Sequence, residues 1–147
     1  MLTPLEQFYC DTCREIIKKP VDGFLEWDQI DHKNMNFRIT HNTNKCLKDS
    51  NDRMGNHLQY YLGQDGLNRL ICMIHVGEIE DPTEKSPPDY KSNAEFAEIF
   101  RRLHIEYYEE GRLYLREALA DGHISHNPYS QHDHENLKNI IQKYSED

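Results

Sequence analysis

The sequence lacks any apolar run approaching the ~20 residues that a helix needs to cross a bilayer. Residues 1–10 also lack the basic start and apolar centre of a signal peptide. We therefore expect a cytoplasmic protein in a reducing environment, where thiols are more often metal ligands than partners in disulfides.

Motifs of the common enzyme classes are missing as well. The chain contains no Gly-rich phosphate loop, no Gly-x-Ser-x-Gly turn and no His-Glu-x-x-His helix. These absences favour a protein without catalytic activity and leave an enzyme as the minor alternative.

Positive charge is scarce. The net charge is −9 at neutral pH, distributed as −1 over residues 1–50, −3 over 51–92 and −5 over 93–147. Because a protein that grips duplex phosphates needs a concentrated basic face, the composition disfavours nucleic acid as the main partner. A role with nucleic acid would depend on the first third of the chain alone.

Cysteines are few, but three of the four fall within residues 10–46. Cys10 and Cys13 have the Cys-x2-Cys spacing that brings two thiolates from one turn to one ion, and His41 with Cys46 supplies a second pair. This pattern predicts a tetrahedral structural zinc site. Three clustered cysteines do not pair evenly into disulfides, which favours the metal.

Alternatives remain for these ligands. His32, His57 or Cys72 could replace His41 as fourth ligand, because each can coordinate zinc. The thiols could instead pack as small apolar groups without a metal, or Cys10 and Cys13 could be a redox dithiol. A redox dithiol of this kind is followed directly by a helix, whereas this sequence continues with residues typical of strands.

Short strands are predicted on both sides of the turn at residues 20–23. Residues 14–18, 24–27 and 36–40 have strand-like composition or alternation. With Cys10, Cys13 and Cys46, this segment resembles the zinc-ribbon modules of many small regulatory proteins. The resemblance implies a three-stranded antiparallel ribbon around one structural ion. That family usually ends on a second Cys-x2-Cys, and the His41-x4-Cys46 pair departs from this pattern.

Helical patterns dominate the remainder. Residues 65–74 have helical spacing and Gly77 as a candidate C-cap, and Ser92 with Glu95 is typical of a capping box. Further helices are predicted from about residue 105 to Gly122 and after Ser130 or Asp133. The fold class is therefore α+β. We predict a zinc-ribbon-like module over residues 1–56 and a bundle of about four helices over 57–147, with a Pro-rich loop at about 78–91.

Two clusters in the helical half are candidate sites. His123, His126, His132 and His134 could bind a metal or sense pH, but an exposed polar turn is the favoured interpretation. Residues 107–110 could form an aromatic, acidic partner-binding edge, and an ordinary half-buried helix start is the alternative. The members of that edge are Tyr107, Tyr108, Glu109 and Glu110.

Two functions follow as hypotheses. The first is a small zinc-stabilised regulatory or adaptor protein, of the kind that bacteria and phages encode, which acts by binding another protein through its acidic helical half. The second is a nucleic-acid-binding ribbon with Trp27 or Phe37 available for base stacking. Its basic residues would be Arg14, Lys18, Lys19 and Arg38, with Lys33, Lys45 and Lys48 nearby.

Overall fold

A computed structural model describes residues 1–145 of the chain. The α+β class is confirmed, with antiparallel strands in the N-terminal part and helices after them. The strands are β1 (Phe8–Tyr9), β2 (Ile16–Ile17), β3 (Gly23–Ile30), β4 (Lys33–His41) and β5 (Arg53–His57). The helices are α1 (Gly63–Ile74), α2 (Asn93–His104), α3 (Tyr108–Gly111), α4 (Leu115–Ala120) and α5 (His134–Tyr144). None of these helices has both the length and the apolar content required to span a membrane.

The strands form two separate antiparallel sheets. β1 pairs with β2, and the larger sheet has the order β4-β3-β5. The β3–β4 hairpin turns through Asp31 and His32, which both have positive φ, the conformation of the tight turns that match strand twist. Leu25, Trp27 and Ile39 of this sheet are buried against the helices.

The predicted three-stranded ribbon differs from the observed sheets. The strand expected at residues 14–18 shrinks to β2 and pairs with β1. Its place in the larger sheet is taken by β5, a strand that we did not predict. β5 lies at the edge with mostly exposed side chains, so no apolar alternation marks it. Gly55 permits the pairing, because a Cβ there would lie 2.3 Å from the Leu25 carbonyl oxygen.

Helix α2 begins where the sequence predicted. The Ser92 hydroxyl accepts the Glu95 backbone N–H at 3.2 Å. The Glu95 carboxylate does not complete the capping box; it accepts the Phe37 N–H of β4 at 3.3 Å and so joins the helix to the sheet. The single helix expected from residue 105 is divided into α3 and α4, with Tyr107 in a left-handed conformation just before α3.

One buried apolar cluster crosses the predicted boundary at residue 56. Leu25 and Ile39 of the sheet share it with Leu70 of α1 and with Phe96 and Leu103 of α2. Cys10 and Cys46 belong to the same cluster. The metal-ligand candidates therefore lie at the margin of the main core. That residues 57–147 form a domain of their own stays a prediction.

Candidate metal centre

Four predicted ligands converge at one end of the β3–β4 hairpin. Cys10 and Cys13 lie in the turn between β1 and β2, His41 is the last residue of β4, and Cys46 lies in the turn that follows. One ligand atom from each residue lies within 4.8 Å of the others. The cluster can therefore hold a metal ion. His41 is the nitrogen donor, and the alternatives His32, His57 and Cys72 lie outside this cluster.

The distances agree with a tetrahedral shell. Bonds of about 2.3 Å to sulfur and 2.0–2.1 Å to nitrogen place neighbouring ligand atoms roughly 3.6–3.8 Å apart. His41 Nδ1 lies 3.4 Å from Cys13 Sγ and 3.8 Å from Cys46 Sγ. The side chains are thus already close to the separation that a bound ion would impose.

The other ring nitrogen of His41 has its own partner. His41 Nε2 lies 3.3 Å from the Ile16 carbonyl oxygen, so an Nε2–H donates there and leaves the Nδ1 lone pair toward the thiols. Such a contact fixes the tautomer and orientation of a metal-binding imidazole. Sequence reasoning missed Ile16, because a carbonyl acceptor carries no side-chain signal.

Backbone N–H groups surround Cys10. The amides of Cys13 and His41 approach its sulfur at 3.5 and 3.4 Å. Burial raises the pKa of Cys10, but these N–H groups, with that of Thr12, outweigh it and lower the pKa to about 6. The turn therefore favours a thiolate, the form that binds metal.

Cys46 is in a different environment. Burial raises its pKa and a hydrogen bond with Thr43 opposes this, while hydrogen bonds with the Cys10 and Cys13 thiols and repulsion by the Cys10 charge raise the pKa further. A cation between the sulfurs would remove that repulsion. The Thr12 hydroxyl donates to the Cys46 carbonyl at 2.7 Å and ties the two turns together.

A buried arginine joins this centre to the helices. Arg102 of α2 donates from Nη1 to Asp11 at 2.8 Å and from Nε to both Glu109 oxygens at 3.0 and 2.9 Å. Asp11 in turn accepts the Ile39 N–H at 2.8 Å, next to the metal turn. Arg102 and Asp11 lie 91 positions apart in sequence, so no local sequence pattern could have predicted that they pair.

The acidic edge predicted at residues 107–110 does not form an exposed surface. Tyr108, Glu109 and Glu110 are buried, and only Tyr107 is half-exposed. Glu109 pairs with Arg102, and Glu110 accepts the Leu2 N–H at 3.0 Å. The carboxylates anchor other parts of the chain, so charge reversal there would test folding and not association.

The nucleic-acid candidates are only partly available. Arg14, Lys18 and Lys19 are exposed around the metal turn. Arg38 is bound to Glu26 at 2.6 Å and to Asp28 at 3.3 Å. Trp27 is 7% exposed and packs on Phe37, so its ring has no free face for a base.

The histidine loop does not assemble a metal site within residues 1–145. His132 and His134 pack edge-on against Tyr108 and Tyr107, and His134 also lies 3.3 Å from Glu106. His123 lies against Tyr144. These contacts dock the loop on α3 and α5.

Comparison of the chain with protein-family models, with curated proteins and with solved structures finds no match. The functional proposal therefore rests on the geometry of the Cys10, Cys13, His41 and Cys46 cluster.

Proposed function

We propose that Cys10, Cys13, His41 and Cys46 bind one Zn²⁺ as a structural ion, and that the chain is a small zinc-stabilised cytoplasmic adaptor or regulator that acts by binding another protein. The observation that carries the metal proposal is the convergence of three sulfurs and His41 Nδ1 within 4.8 Å. Thiolate and imidazole donors in a tetrahedron suit zinc better than the oxygen-preferring ions.

The donor set favours a structural ion. Three thiolates and an imidazole complete the shell, whereas a catalytic zinc keeps one position open for water. Cys10 and Cys46 are 0% and 5% exposed, so two of the four ligands are shielded from solvent. The ion would hold the β1–β2 turn against the end of β4, in addition to the hydrogen bonds that Asp11 makes with Ile39.

An interaction role fits the remaining surface better than nucleic-acid binding does. The chain has a net charge of −9, and of the basic candidates Arg38 is neutralised inside the fold. Several large apolar side chains are nevertheless exposed, and contiguous exposed apolar surface is typical of protein interaction sites.

The metal proposal is tested by elemental analysis of protein purified under reducing conditions without added metal. We expect about one zinc per chain. Cys13→Ser should lose the ion, whereas Cys72→Ser should keep it; both cysteines are free and half-buried, so they form a matched pair. Metal-free wild-type protein, or a Cys13→Ser protein that retains full zinc, would contradict the assignment.

A further inference from the structure

An apolar groove lies between the end of α1 and the outer side of α2. Its volume is about 400 Å³. α2 contributes positions spaced as one helical stripe, and α1 and the following loop contribute one residue each. The lining consists of Ile74, Tyr90, Asn93, Phe96, Ala97, Phe100 and Arg101. Since Phe96 and Phe100 of this stripe also border the core, the groove extends an apolar surface that the fold leaves uncovered on one side.

A protruding segment lies in sequence directly beside this groove. Ile79 is 95% exposed and is flanked by Glu78 and Glu80. We call residues 78–80 the Ile79 knob. At ~3.3–3.6 Å per residue, the knob is no more than about 18 Å from Ile74 at the groove wall.

Hydrogen bonds fix the knob away from its own groove. Asp81 donates its N–H to the Gly77 carbonyl at 3.0 Å, and its carboxylate accepts the N–H groups of Lys85 and Ser86 at 3.2 and 3.0 Å. His75 Nε2 lies 3.3 Å from the same carboxylate. The turn thus presents Ile79 to solvent, although such exposure of a large apolar side chain is unfavourable.

Knob and groove are complementary in charge as well as in polarity. Arg101 stands at the groove wall, and its side chain makes no ion pair or hydrogen bond within residues 1–145. The knob offers an isoleucine between two carboxylates. An anionic membrane is a poorer occupant, because the surface is concave and a chain with net charge −9 is repelled by acidic headgroups.

We infer that the Ile79 knob of a second copy occupies this groove, with Glu78 and Glu80 near Arg101, so that the protein self-associates. Because knob and groove are neighbours on one chain, both insertions can form together around a two-fold axis. Ile71, Ile74 and Val76, which are 44%, 41% and 47% exposed, would be covered by the same contact. This inference rests on the proposed role as an interaction protein and names the partner.

Sedimentation velocity of the zinc-loaded full chain tests the inference. Over loading concentrations from about 5 to about 500 µM, we expect the mass to rise from 17.5 kDa toward twice that value. Ile79→Asp and Ala97→Glu should each raise the dissociation constant at least tenfold. Tyr129→Asp is the matched control, since Tyr129 is 93% exposed in another loop, and it should behave as wild type.

An exchange of charges between the groove and the Ile79 knob tests whether Glu78 and Glu80 of one copy lie near Arg101 of the other. Arg101→Glu should weaken association, and the combination of Arg101→Glu with Glu78→Lys and Glu80→Lys should restore it. A monomer at every concentration, or an Ile79→Asp protein that associates like wild type, would overturn the inference, as would failure of the exchanged protein to recover. Zinc measured in the same samples separates the two proposals: a zinc-loaded monomer overturns self-association alone.

Discussion

Replacement of Arg102 by methionine tests the connection between the metal centre and the helices. The Arg102 side chain is 4% exposed and Glu109 is 7% exposed, so removal of Arg102 leaves a buried carboxylate whose remaining cation is Arg112, at the longer distance of 3.6 Å. Asp11 is 23% exposed and keeps its bond from the Ile39 N–H, so it can be rehydrated. Most of the loss in the free energy of unfolding should therefore arise at Glu109.

The expected magnitude follows from that geometry. Removal of one partner from a buried ion pair costs about 3–5 kcal/mol, which is a large part of the ~5–15 kcal/mol stability of a typical domain. For a chain of this size, such a loss corresponds to a fall in Tm of about 6–20 °C. Arg102→Met combined with Glu109→Leu should recover at least about 2 kcal/mol, because no buried carboxylate then lacks its main hydrogen-bonded cation.

Urea unfolding followed by circular dichroism, with zinc present, measures the stability change. A second readout is the rate at which a chromogenic chelator removes the proposed zinc ion, which should increase in Arg102→Met because Asp11 follows the candidate ligand Cys10 directly. The reasoning would be refuted by a single variant that loses less than about 1 kcal/mol, or by a double variant no more stable than the single one.

Two further predictions concern acid sensitivity and the shared core. Burial raises the pKa of Asp28, but hydrogen bonds from Asn36 and Lys48 and the charge of Arg38 outweigh it and lower the pKa to about 2. Its contribution is thus present above the unfolded pKa of 3.8 and lost as the pH falls through about 2. Urea unfolding should show Asp28→Asn about 2 kcal/mol less stable than wild type at every pH above about 4, and the difference in stability should narrow only below that pH. A difference in stability that vanishes between about pH 7 and about pH 5 contradicts this prediction. A fragment of residues 57–147 should retain helical circular dichroism yet associate or bind a hydrophobic dye, because the sheet side of its core is missing; a fragment without helix would show that the sheet is needed for the helices to form.

The sequence by itself determined the α+β class, the candidate ligands and the start of α2. These features depend on local signals: Cys-x2-Cys spacing in one turn, apolar periodicity, and a serine three residues before a glutamate. The choice of His41 over more distant histidines also followed from proximity to Cys46, and the structure brings that residue to the thiols.

Only the tertiary structure decided how distant segments meet. The edge strand β5 pairs through its backbone, so its side chains gave no periodic signal. The candidate partner-binding edge needed Glu109 and Glu110 at the surface, where carboxylates are usually solvated, yet Arg102 and the Leu2 N–H compensate them inside the fold. Such compensation depends on a partner far away in sequence. The sequence alone does not specify which distant residues the packing of the fold brings together.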